Sequence, residues 1–225
     1  MSYSRTTAVI VFAWVLAGVR AAAQVPGLPV YNAGIPRGVG IFADLGFPND
    51  NAGGGTAYGV TGRIGLGVLA FTATVSALNP DGPAGTSAGV GGTGNFRVFG
   101  GPLVPFSVTL QGGVGYSDVG GVDVTHIPLG VGLALIIPNP ALAIKPWLAP
   151  RIDVVHTSPS SDCDELSCSA IGTDTRTKFG LSGGIELNLL NGFGAHASYD
   201  YVKGEGGNPG IFGIGAHYTF RVRGL

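Results

Sequence analysis

Glu186, His196 and His217 carry side chains suited to proton or metal chemistry, and their spacing can bring them together. A turn at Leu190–Gly192 sets Glu186 opposite His196. A hairpin closed by Val202 and Ile211 sets His196 opposite His217. A carboxylate and two imidazoles in one cross-strand row suit a proton-transfer or zinc site. They equally suit a carboxylate–imidazole strut, and the lack of a nucleophile or fourth ligand favours the strut. Cys163 and Cys168, the only cysteines, are spaced C-x4-C. In an exported chain they predict a loop disulfide rather than a C-x-x-C redox pair. The neighbouring Asp162, Asp164 and Glu165 are oxygen ligands of the kind Ca²⁺ takes, without EF-hand spacing. His156 and Ser158 stand near a strand rim, where a lipid-modifying hydrolase places its residues, but no supporting acid accompanies them. Gly38-x-Gly40-x-x-Ala43 and Gly65-x-Gly67-x-x-Ala70 match a dinucleotide fingerprint, yet neither opens a helix in a βαβ unit. No cofactor is indicated.

The elements that position these residues follow from composition and periodicity. Of 225 residues 41 are Gly, and 25 (12 Lys+Arg, 13 Asp+Glu) are charged. That is far fewer charges than the roughly 25% of a soluble domain. Mean hydropathy is +0.38, which argues against disorder. Net charge of −1 argues against a nucleic-acid partner. So much Gly is also poor material for a helical bundle.

Strict alternation is the dominant pattern. Phe179, Leu181, Ile185, Leu187 and Leu189 alternate with Lys178, Ser182, Glu186 and Asn188. Phe212, Ile214, Ala216, Tyr218 and Phe220 alternate with Gly213, Gly215, His217 and Thr219. Ten such segments are predicted: 37–47, 56–64, 67–78, 93–100, 105–117, 123–136, 143–156, 174–189, 193–202 and 211–222. Many exceed the five or six residues of a soluble strand. Short turns alternate with longer connections, the largest at 79–92 and 157–173. This predicts an all-β fold: a closed antiparallel up-and-down transmembrane β-barrel of ten strands, with eight as the alternative count.

Charge segregation fits. Asp44, Arg63, Arg97, Lys145, Arg151, Asp153, Arg176, Lys178, Glu186, Asp200 and Arg221 fall on the polar parity of strands, with His126, His196, His217 and Gln111. Together they predict a polar network that largely plugs the lumen, with inward Trp147 adding bulk. Nine acids, among them Asp50, Asp81, Asp118 and Asp123, fall in or beside the outer loops, where Lys203 is the only base.

The N-terminus reads as an export signal. Thr6–Val19 is an apolar run, and Ala21–Ala23 supplies small residues before Gln24. The expected organisation is a cleaved signal peptide at 1–23, a periplasmic segment at 24–36 and the barrel at 37–225. With this signal, the alternating strands and the final FGIGAHYTF (Phe212 to Phe220), the chain resembles small bacterial outer-membrane β-barrel proteins of the OmpA-barrel or OmpW-like type. The resemblance implies an outer-membrane location, contact with lipid and lipopolysaccharide, and recognition of a terminal aromatic by the barrel-assembly machinery. Here Arg221-Val222-Arg223-Gly224-Leu225 follows Phe220. The resulting expectation is a non-enzymatic barrel with a structural or surface-interaction role and an unnamed ligand at its loops. The alternatives are a narrow passive channel for small solutes or anions and, third, a lipid-modifying enzyme.

Overall fold

A computed structural model describes residues 25–36, 38–81, 85–101, 104–118, 122–159, 172–204 and 206–220. The predicted signal peptide, the Cys163–Cys168 pair, the acids Asp162, Asp164 and Glu165, and Arg221 lie outside the described residues. Ten long strands form the wall: β1 (Gly38–Pro48), β2 (Thr56–Leu66), β3 (Leu69–Asn79), β4 (Ser87–Gly101), β5 (Val104–Asp118), β6 (Val122–Leu135), β7 (Leu142–Pro159), β8 (Asp174–Leu189), β9 (Phe193–Val202) and β10 (Gly210–Phe220). Ile137–Pro138 adds a two-residue bridge to β7.

Each strand pairs antiparallel with its chain neighbours, and β1 pairs with β10 from Val39↔Phe220 to Pro48↔Ile211. The sheet therefore closes, and no strand is left with an unpaired edge. The ten-strand expectation holds. One end carries the tight connections at 67–68 and 190–192, and is called the turn side here. The other carries 49–55, 80–86, 160–173 and 203–209, and is called the loop side.

The alternation sets what each face meets. Ile41, Tyr58, Val60, Val75, Val114, Leu129, Ile152 and Phe179 point outward and are half exposed or more, while Arg63, Asn95, Arg151, Asp153 and Glu186 are buried. Buried polar residues outnumber buried apolar ones among the described residues. This inversion of a soluble protein is stable only if the outer face meets lipid. Val60, 52% exposed near the middle of β2, tests it: Val60→Arg is expected to cost about 2–4 kcal/mol. The measurement is a lower unfolding midpoint on gels, where the folded barrel runs differently from the heated one.

The expected loop at 79–92 is shorter than predicted, because β4 begins at Ser87. Ser87–Gly92 is rich in small residues and reads as a connection. It nevertheless pairs with β3 through Ser87↔Leu78 and Gly89↔Ser76.

The expected periplasmic segment is a larger correction. Residues 25–36 do not hang below the barrel; they run through its lumen. Val25, Leu28, Val30, Asn32 and Ala33 are buried.

Candidate functional site

The lumen has two unlike walls. On β2–β5 it is neutral apart from Arg63 on β2 and Asp118 at the loop-side end of β5: Thr61 and Thr74 hydroxyls lie 2.9 Å apart, those of Thr72 and Thr93 2.6 Å apart, and Asn95, Thr109 and Gln111 continue the surface. On β7–β9 it is charged, in two clusters. In the first, Arg151 forks onto Asp200 (Nη1 to Oδ1, 2.7 Å) and donates from Nε to Asp153 (2.8 Å), with His126 3.3 Å from Asp153. In the second, Glu186 accepts from Lys145 Nζ and from Asn188 Nδ2, both at 2.7 Å, with Arg63 Nη1 at 3.7 Å. Asp44 and His196 form a further pair at 2.7 Å.

The segment 25–36 lies between these walls and bonds to both. The Val30 amide donates to Asp200 (3.2 Å), and the Tyr31 hydroxyl donates to Glu186. On the neutral side Gln111 donates to the Tyr31 carbonyl and accepts from Asn32, each at 3.2 Å, and Thr109 donates to Asn32 at 3.1 Å. Arg63 donates to the Gly34 carbonyl. Tyr31 is the hub: its ring meets Trp147 edge-on at 5.0 Å and His196 at 5.2 Å, with the Arg63 guanidinium 5.3 Å from its centroid.

The wall is relieved where the segment touches it. A Cβ at Gly46 would lie 1.9 Å from the Gly27 carbonyl oxygen, and one at Gly65 would lie 2.0 Å from that of Pro36. At Gly59 it would meet Leu28, at Gly89 Pro26, at Gly132 Asn32 and at Gly213 Pro29. Much of the lumenal glycine therefore makes room for the chain's own N-terminal segment. Between the segment and Thr61, Thr72, Thr74 and Thr93 a cavity of about 60 Å³ stays open. Wider spaces flank it, about 320 Å³ on the turn side beside Lys145, Glu186 and His217, and about 630 Å³ at the loop-side rim.

The structure rearranges several predicted positions. Glu186 lies opposite His196 as the turn at 190–192 requires. His217, however, lies opposite Gly194, and His196 opposite Gly215, because Tyr201 closes the hairpin against Gly210. The expected row is thus broken by a two-residue shift. His217 lies 3.1 Å from Asn188, and His196 turns to Asp44. Among the described residues no group of three His, Cys, Asp or Glu is placed to hold a metal.

Two predicted lumenal bases leave the network, and a third, Lys178, stands at its loop-side edge opposite Asp153. Arg97 sits at the turn-side rim and donates to the Gly67 carbonyl at 3.0 Å. Arg176 is exposed at the loop-side rim, 2.5 Å from Asp174. Lys178 lines the rim space with Arg176 and Lys203, so Lys203 is not alone there. The polar parity of a strand extends beyond the span, and these residues occupy its ends. Asp118, expected in a loop, is buried. His156 lies 2.8 Å from Thr175, on the neighbouring strand.

The segment itself was missed. Proline and glycine in VPGLPVYNAGIP hide any period, so it reads as a linker. Its signal is the absence of charge: a solvated linker has no need to spend Val25, Leu28, Val30 and Tyr31.

A closed, ten-stranded up-and-down barrel with an apolar exterior and a polar, filled interior is the fold of small outer-membrane β-barrel proteins. The chain is similar in fold to the β domain of the Bordetella autotransporter BrkA (TM-score 0.50, 15% identity, covering 81% of this chain and 98% of that one). Weaker matches are the N-terminal barrel of Pseudomonas aeruginosa OprF (TM-score 0.40, 15% identity, 82% and 98%) and the outer membrane enzyme PagL (TM-score 0.40, 11% identity, 80% and 99%). No protein-family model matches the sequence, and no curated protein is similar to it.

Proposed function

We propose that this chain is a non-enzymatic outer-membrane barrel, closed to free diffusion, with a structural or surface-interaction role. Its apolar face meets outer-membrane lipid and lipopolysaccharide, and the barrel-assembly machinery inserts it. The longer connections, and the ligand they would meet, face the cell exterior, following the asymmetry of such barrels. One observation carries the reading: residues 25–36 fill the lumen and are hydrogen-bonded to both walls. A channel evolved for constant flow has no use for a fitted plug.

Planar bilayers test closure. Refolded native protein, shown to be barrel by its heat-dependent gel mobility, is expected to give no reproducible single-channel steps. Steady steps from the native chain would instead establish the second reading, a narrow passive channel. That reading draws on the 60 Å³ cavity beside the segment and the wider spaces at both ends.

A further inference from the structure

Residues 25–36 cross the lumen in one direction. β1 starts on the turn side, where Gly38 pairs with Gly65, and the Pro36 carbonyl lies against Gly65 there. Followed back towards the N-terminus, Tyr31 reaches Glu186, Val30 reaches Asp200, and Gly27 lies against Gly46. Pro26 then meets Gly89, which pairs with Ser117, beside the loop-side ends of β4 and β5. Twelve extended residues reach about 40 Å at most, enough for the height of such a wall. The far end is anchored: Val25 and Leu28 bury together with Ala57 and Leu78 in an apolar collar at the loop-side mouth. A segment resting loosely in the lumen would leave those side chains in water.

We infer that the mature chain is threaded outward through its own barrel and presents its N-terminus on the cell surface. This rests on the proposed assignment of the loop side to the cell exterior. The mouth then offers macromolecules outside the cell a free N-terminus framed by the loops, and a short sequence placed ahead of Val25 is displayed there. The leader expected at 1–23 has to be removed first, because a leader held in the inner membrane keeps that end on the turn side. Closing of the lumen thus follows export processing.

The test labels intact cells with a membrane-impermeant maleimide. The full chain carries Cys163→Ser and Cys168→Ser, with Cys-Gly-Ser inserted directly before Val25. Thr86→Cys, in the 80–86 connection, and Asn191→Cys, in a turn, serve as controls in the same background. Heat-dependent mobility confirms a folded barrel in each. The inserted cysteine is expected to label as fully as Thr86→Cys, with no gain on permeabilising the cells, while Asn191→Cys labels only afterwards. An inserted cysteine that behaves like Asn191→Cys overturns outward threading. If the two controls exchange behaviour, the surface assignment falls through barrel orientation instead, and the proposed orientation falls with it.

Discussion

A Gly46→Val/Gly65→Val variant is expected to conduct where the native barrel is silent. Both glycines have ordinary strand backbone and stand outside the residues with positive φ. Valine therefore suits their strands, and replacing Gly within a strand favours the sheet by up to about 0.5–1 kcal/mol. The conflict is with the segment alone. Each new Cβ meets a backbone carbonyl, of Gly27 or of Pro36, at about half a normal contact distance. Backbone cannot rotate aside as the tip of a side chain does. Overpacking costs about 1–3 kcal/mol at each site, and opposite ends of the segment add. The sum shifts the plugged-to-open ratio by more than about tenfold. Single-channel recording reads the result, with gel mobility confirming the barrel. A folded but silent double variant would show that residues 25–36 do not close the lumen.

Glu186→Leu is expected to be the most damaging single change in the charged wall. Its carboxylate is buried, and it holds Lys145, Asn188 and the Tyr31 hydroxyl at once, with Arg63 close by. Leucine fills the volume but leaves two cations facing each other and the Tyr31 hydroxyl without its acceptor. Removing one member of a buried ion pair costs about 3–5 kcal/mol. A double change, Glu186→Leu/Lys145→Met, removes the orphaned ammonium as well and is expected to recover part of the loss. Urea unfolding in detergent, followed by gel mobility, measures both. A loss below about 1 kcal/mol for the single variant would mean that water already screens Glu186 and the cluster is not a sealed strut.

The same two sites show how far the sequence reaches. Strand number, face assignment and the Glu186–His196 pairing were legible, because each depends on local spacing: alternation with period two, and a short turn that fixes its own register. The His196–His217 pairing was not. The connection at 203–209 is long enough to close at more than one residue, and closing at Tyr201↔Gly210 rather than at Val202↔Ile211 shifts the partners by two. Arg97, Arg176 and Lys178 share the parity of Arg151, but parity carries no depth. Only the three-dimensional wall shows which residues lie in the span and which at its rims.

By itself the sequence determined a membrane-facing barrel, since the bare outer face and the polar inner face are written residue by residue along every strand. The tertiary structure alone decided what fills that barrel. Gly46, Gly59, Gly65, Gly89, Gly132 and Gly213 lie scattered along the chain, and only the closed sheet gathers them into a track that fits residues 25–36. A plug is a relation between a segment without periodicity and strands remote from it in sequence. No local pattern encodes it until the wall exists.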